Sequence, residues 1–186
     1  MTGNTTASEP APGDADAARL AVTGTPGTGK TTATERLDDD TEVIHLNDAI
    51  REFGLYSERD TDRDSLVTDL NAVRKHLGGW TGILDSHLAH HFDADRVVVL
   101  RCEPSVLESR LREHGDPAEK ARENAESEAL DVILSEAVDQ HGSDAVYEIE
   151  TTDRAPEWVA SEIRAIRRGE REPSAGAVDF TGYLIG

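Results

Sequence analysis

One cysteine, three lysines and no long apolar run set the first limits on this chain of 186 residues. A single thiol, Cys102, can close no internal disulfide and build no Cys-based metal centre. It follows the apolar run Val97-Val98-Val99-Leu100, where a small buried filler is expected. No stretch approaches the apolar length that crosses a bilayer, and mean hydropathy is −0.53. Residues Met1 to Ala18 lack the basic start and apolar stretch of a secretory signal, so the expected address is cytoplasmic.

Basic charge is also scarce: 19 Lys and Arg face 38 Asp and Glu, for a formal net charge of −19. Only Lys30, Lys75 and Lys120 are lysines. Self-repulsion of such a chain favours solubility on its own. The shortage of lysine points further, to adaptation to high salt, where repulsion is screened within about 3 Å at 1 M. No basic stripe is available to displace counterions, so direct binding of free nucleic acid is not expected. Any negative ligand must be drawn in locally.

The length suits one α/β domain with its own core, not two. Residues 1–18 are rich in Thr, Ala, Ser, Pro, Gly and Asp and are expected as a disordered tail. Strands are expected over 19–23, 42–46, 81–85, 96–100 and 144–150. Helices are expected from Lys30 to about Leu37, over 47–54 and 63–77, from Pro104 to His114, over about 118–140, and from Pro156 to Arg168. The helix over 63–77 rests on Leu66, Leu70, Val73 and Leu77 at helical spacing, with Gly78-Gly79 ending it. This alternation predicts a three-layer α/β fold around a five-stranded, parallel, doubly wound sheet. Residues 169–186 form a tail that begins polar and ends in the apolar Val178 to Ile185, which either packs back on the chain or docks a partner.

The run Gly24-Thr25-Pro26-Gly27-Thr28-Gly29-Lys30-Thr31 matches G-x-x-x-x-G-K-[ST] in full, after an expected strand and opening a helix. Its glycines let backbone N–H groups point inward as an anion nest. Lys30 is placed to reach β- and γ-phosphates, and the Thr31 hydroxyl to ligate Mg²⁺. Asp85 ends the third strand beside the crevice where such sheets bind ligands; it suits Mg²⁺ or the cap of a following helix. His87, two residues on, is compatible with packing and with orienting a water or a phosphate. Phosphoryl transfer needs cations that close on the site. The candidates are Arg51, Arg59 and Arg63, then Arg110, Arg112 and Arg122, and Arg154.

With these residues in place, the chain resembles the short-lid adenylate kinases of archaea and the eukaryotic nucleus. The likeness runs from about Leu20 to Arg168 and rests on Thr23 to Thr32, the Asp85-x-His87 pair, Lys120-Ala121-Arg122-Glu123-Asn124 and Glu128 to Leu134. It implies a P-loop kinase domain over 19–168, with a helical monophosphate-binding insertion over about 45–68 and a lid over about 113–123. It implies transfer of the γ-phosphoryl of ATP to AMP with Mg²⁺, slow ATP hydrolysis, and a role in small ribosomal subunit maturation with a basic ribosomal protein as partner. Gly27, Thr28, Gly29, Lys30, Thr31 and Thr32 would then bind ATP, with Arg154 over the adenine and Thr31 and Asp85 on the metal. His45 and Arg51 would bind AMP, and His87 would pair with Asp85 in hydrolysis. The chain departs from the family pattern at the lid, where His114 stands in place of an arginine before Gly115. Another small acceptor on the same scaffold, or an ATP-switched assembly factor with incidental kinase activity, are the competing functions.

Overall fold

The computed structural model describes residues 19–38, 40–60 and 65–185, with the backbone alone for Arg59, Asp60 and Ser65. The tail expected over residues 1–18 lies outside them.

Five strands form one parallel sheet in the order β2–β5–β1–β6–β7, as the alternating pattern predicts. They are β1 (Arg19–Thr23), β2 (Val43–His45), β5 (Gly82–Asp85), β6 (Arg96–Arg101) and β7 (Val146–Glu150). Successive side chains of a strand face opposite ways, so each strand feeds two cores. Ala21, Leu84, Val97 and Val99 pack with Leu46, Val73, Trp80 and Leu134 on one face. Leu20, Val22, Ile83, Val98 and Leu100 pack with Val159, Ile163 and Ile166 on the other. The helices are α1 (Lys30–Thr34), α2 (Leu46–Phe53), α3 (Leu70–Leu77), α4 (Pro104–Glu113), α5 (Ala118–Ala129), α6 (Val132–His141) and α7 (Pro156–Arg167).

Three expectations are corrected. First, the helix expected over 63–77 begins only at Leu70. Before it lies an antiparallel hairpin of β3 (Tyr56–Asp60) and β4 (Ser65–Thr68). Leu66 keeps the helical spacing, yet the Asp69 carboxylate accepts from the N–H groups of Asn71 and Ala72 at 3.0 Å and fixes the helix start there. Second, the long helix over 118–140 is two helices. Asp131 takes φ +55°, a conformation an aspartate tolerates, and its carboxylate is drawn to the Arg101 guanidinium. Third, α1 stops at Thr34. The N–H groups of Arg36 and Leu37 bond three residues back, to Ala33 and Thr34 at 3.1 Å, which tightens the turn out of the helix.

The C-terminal segment packs on the chain itself. Ser174 N–H donates to Val146 O at 3.0 Å, and Ser174 Oγ accepts from Glu148 N–H at 2.9 Å, so the segment covers edge strand β7. Phe180 lies over the Arg101 guanidinium at 5.4 Å, and Tyr183 donates to Glu108 on α4 at 3.1 Å. Ile185 stays 86 % exposed. Among the described residues, no helix is long and apolar enough to cross a membrane.

Candidate active site

The strand order reverses beside β1: the chain leaves β1 for β2 on one side and passes from β5 to β6 on the other. A crevice opens at the carboxyl ends of strands at such a switch point. The glycine-rich loop sits there because β1 delivers it and only glycine fits where it turns. Gly24 has φ +142°, and a Cβ on it would come within 2.5 Å of Leu100 O.

Lys30 is 8 % exposed and folds back over the loop, donating to Gly24 O at 2.7 Å and Thr25 O at 3.0 Å. Burial pulls its pKa down to about 8, partly offset by the negative charges of Asp85 and Glu128. It is a cation near neutrality, held ready by two neutral carbonyls that a phosphate would outcompete. Thr31 and Thr32 are exposed on α1, the first turn of which leaves N–H groups without helical partners. Thr28 is buried, and its hydroxyl donates to Thr25 O at 2.8 Å, bracing the loop from within.

Asp85, 3 % exposed, is registered against Val22 on β1 and His45 on β2. Its Oδ2 accepts from Thr34 Oγ1 at 3.1 Å and meets His45 Nδ1 at 2.9 Å. Its Oδ1 has no hydrogen-bond partner among the described residues. One open carboxylate oxygen and the Thr31 hydroxyl are hard oxygen donors, a set that suits Mg²⁺. His87 is half-buried, and its ring has no hydrogen-bond partner among the described residues. Burial, with Lys30 adding to it, lowers its pKa to about 4, so the ring is neutral and offers a lone pair.

Among the described residues, none of the candidate arginines makes a hydrogen bond or ion pair to the loop. Arg51 is exposed on α2, 3.7 Å from Asp48. Arg110 turns inward, donating to Thr152 O at 2.6 Å and Cys102 Sγ at 3.4 Å. Arg112 and Arg122 lie along their own helices near Glu108 and Glu126. Arg154 is exposed and stacks on Trp158 at 4.7 Å, and His114 is exposed at the end of α4. Arg63 and the side chain of Arg59 lie outside the described residues.

Sequence reasoning missed the support beneath the loop. Glu128 on α5, 3 % exposed, accepts from the Thr25 hydroxyl, from Arg101 Nε at 2.8 Å and from Cys102 N–H at 3.1 Å. Arg101 also pairs with Asp131 and Glu148. Thr151 Oγ1 lies 2.9 Å from Thr28 O and 3.0 Å from Arg101 O, sharing its proton between the loop and β6. The signal for Glu128 was its place on the Ala121, Ala125 stripe of α5.

Residues 20–131 match the family described as AAA domain. A protein of Natronomonas pharaonis named "Putative adenylate kinase" is 60 % identical over 167 residues, covering 89 % of this chain and 99 % of the relative. One of the same name from Methanothermobacter thermautotrophicus is 42 % identical over 171 residues, covering 90 % and 99 %. A crystal structure of shikimate kinase from Bacteroides thetaiotaomicron is 18 % identical, covers 82 % of this chain and 97 % of its own, and has a TM-score of 0.48, a distant likeness on which nothing rests. With its loop at the switch point, the chain belongs to the AAA-domain family and to the family of these archaeal relatives.

Proposed function

We propose that the chain is an adenylate kinase, a cytoplasmic enzyme that moves the γ-phosphoryl group of ATP to AMP and releases two ADP. An oxygen of the AMP phosphate attacks the γ-phosphorus, the bond from that phosphorus to the β–γ bridging oxygen breaks, and ADP leaves. The observation that carries the reading is Lys30, buried and charged in the loop beside Asp85, in a chain whose archaeal relatives bear the kinase name.

In this reading Gly27, Thr28, Gly29, Lys30, Thr31 and Thr32 hold the ATP phosphates, Lys30 exchanging its two loop carbonyls for phosphate oxygens. Thr31 and Asp85 would hold Mg²⁺, which would supply positive charge against the triphosphate. His45 and Arg51 serve AMP from the insertion over 45–68. That segment is helix and hairpin rather than two helices. His114 and Arg154 close over ATP, His114 from a lid over 113–123. His87, neutral through burial, accepts a hydrogen bond from a water and so supports slow hydrolysis.

Turnover of ATP with AMP, CMP, UMP, GMP and dAMP tests the assignment. AMP is expected to be the fastest acceptor; no ADP from ATP plus AMP, with turnover of another acceptor, would move the chain to a different small-acceptor kinase. The finer reading adds ATPase activity and a basic small-subunit ribosomal protein, to which a chain of charge −19 is complementary. Hydrolysis without AMP tests the first, and retention on the small ribosomal subunit the second.

A further inference from the structure

We propose that His90, His91 and Glu136 bind one divalent transition cation of the zinc class, at a site separate from the nucleotide crevice. Among the described residues, this trio alone brings three His, Cys, Asp or Glu donor atoms within 4.8 Å of one another. The two histidines lie on the 3-10 turn Ala89–His91 after β5, and Glu136 projects from α6, which packs against that turn.

The spacing fits a metal. Glu136 Oε2 is 2.9 Å from His90 Nε2 and 3.9 Å from His91 Nε2. Ligands at ~2.05 Å in a tetrahedron are separated by about 3.4 Å. The two distances bracket that value, and the two imidazole donors lie within 4.8 Å of each other, so small rotations of the solvent-reaching His91 and Glu136 side chains would seat an ion.

Protons fit as well. His90 Nδ1 is 2.9 Å from Thr23 Oγ1, and Thr23 Oγ1 lies 3.2 Å from His87 O. If the hydroxyl gives its proton to His87 O, Nδ1–H must donate to Thr23, and Nε2 is left as a lone pair facing a carboxylate. That pairing is repulsive until a cation lies between. A ligating imidazole whose other nitrogen donates to a fixed oxygen is the usual arrangement around a metal. Gln140, 3.5 Å from His91 Nδ1, supplies the equivalent oxygen to His91 once its amide is turned.

Access and selectivity follow from the surroundings. His90 is 1 % exposed, but His91 and Glu136 reach solvent at 20 % and 48 %. Beside them opens a cleft of about 420 Å³ lined by His91, Gln140 and His141, which leaves room for water as a further ligand. Arg74, on the same cleft, is turned to His91 O and Phe92, and Arg19 is paired with Asp95. Two imidazoles and one carboxylate favour zinc over Mg²⁺, which prefers oxygen and keeps its waters.

The test is calorimetric titration of the full chain, stripped by chelator and free of nucleotide, with ZnCl₂ and separately with MgCl₂. One saturable zinc is expected, with no equivalent magnesium isotherm. His91→Ala and Glu136→Gln, both at solvent-reaching positions, are expected to weaken zinc at least tenfold, while His45→Ala in the nucleotide crevice leaves it unchanged. Unaltered circular dichroism shows that the variants are folded, and the visible spectrum of Co²⁺ reports tetrahedral nitrogen and oxygen ligation. No saturable zinc, zinc held equally by both variants, or zinc lost only with His45→Ala would each overturn the site.

Discussion

Arg101 carries a full charge at 1 % exposure, and Glu128, Asp131 and Glu148 surround it. Burial opposes that charge, but the carboxylates outweigh it and hold the guanidinium above its ordinary pKa. Replacing such a group wholesale with apolar residues is often harmless, whereas removing one partner strands a charge and costs about 3–5 kcal/mol. Glu128→Ala is therefore expected to lose that much stability in urea unfolding, and to raise the KM for ATP because Thr25 loses its anchor. A variant within about 0.5 kcal/mol of the parent would show that the cluster is dispensable. Residues of the loop were legible because their chemistry is local: Gly24 to Thr31 can be recognised without knowing what lies opposite. Arg101 was not, since an arginine after Leu100 reads as the strand's exit to solvent. Glu128 was hidden among Glu119, Glu123 and Glu126, although only it falls in line with Ala121 and Ala125.

Elements were read well wherever one face had to be buried. The three inner runs of the sheet, β1, β5 and β6, announce themselves because a strand covered on both faces must be largely apolar. The β3–β4 hairpin did not, because Ser57 and Glu58 are polar and exposed, while Leu66 imitates the helical spacing of Leu70 and Val73. The break between α5 and α6 is equally silent, since its cause, Arg101, lies 30 residues away in sequence. The C-terminal segment left two readings, and contacts to Val146, Glu148 and Arg101 favour packing over display. Truncation after Arg171 removes these bonds together with Tyr183–Glu108. At roughly 1 kcal/mol per hydrogen bond, Tm is expected to fall by about 5 °C or more. An unchanged Tm would mean that the segment contributes nothing to the fold.

At the scale of the whole molecule, the net charge of −19 sets the terms. Most of the acidic residues face water, where their repulsion penalises the compact state and is relieved by salt. Tm is expected to rise from dilute buffer to molar KCl, and equal values in the two would remove salt adaptation from the account. The parallel sheet was legible from the alternation of strands and helices; its order, β2–β5–β1–β6–β7, depends on pairings between distant segments that no local pattern encodes. That order puts Lys30, Asp85 and His45 at one switch point, and the kinase reading stands on it. The most direct measurement is ADP formation from ATP and AMP in molar KCl by the parent chain and by Lys30→Ala. ADP production that requires both nucleotides and falls by at least about a hundredfold in the variant is the predicted result. No ADP from the parent chain, or equal rates in the two, would contradict it.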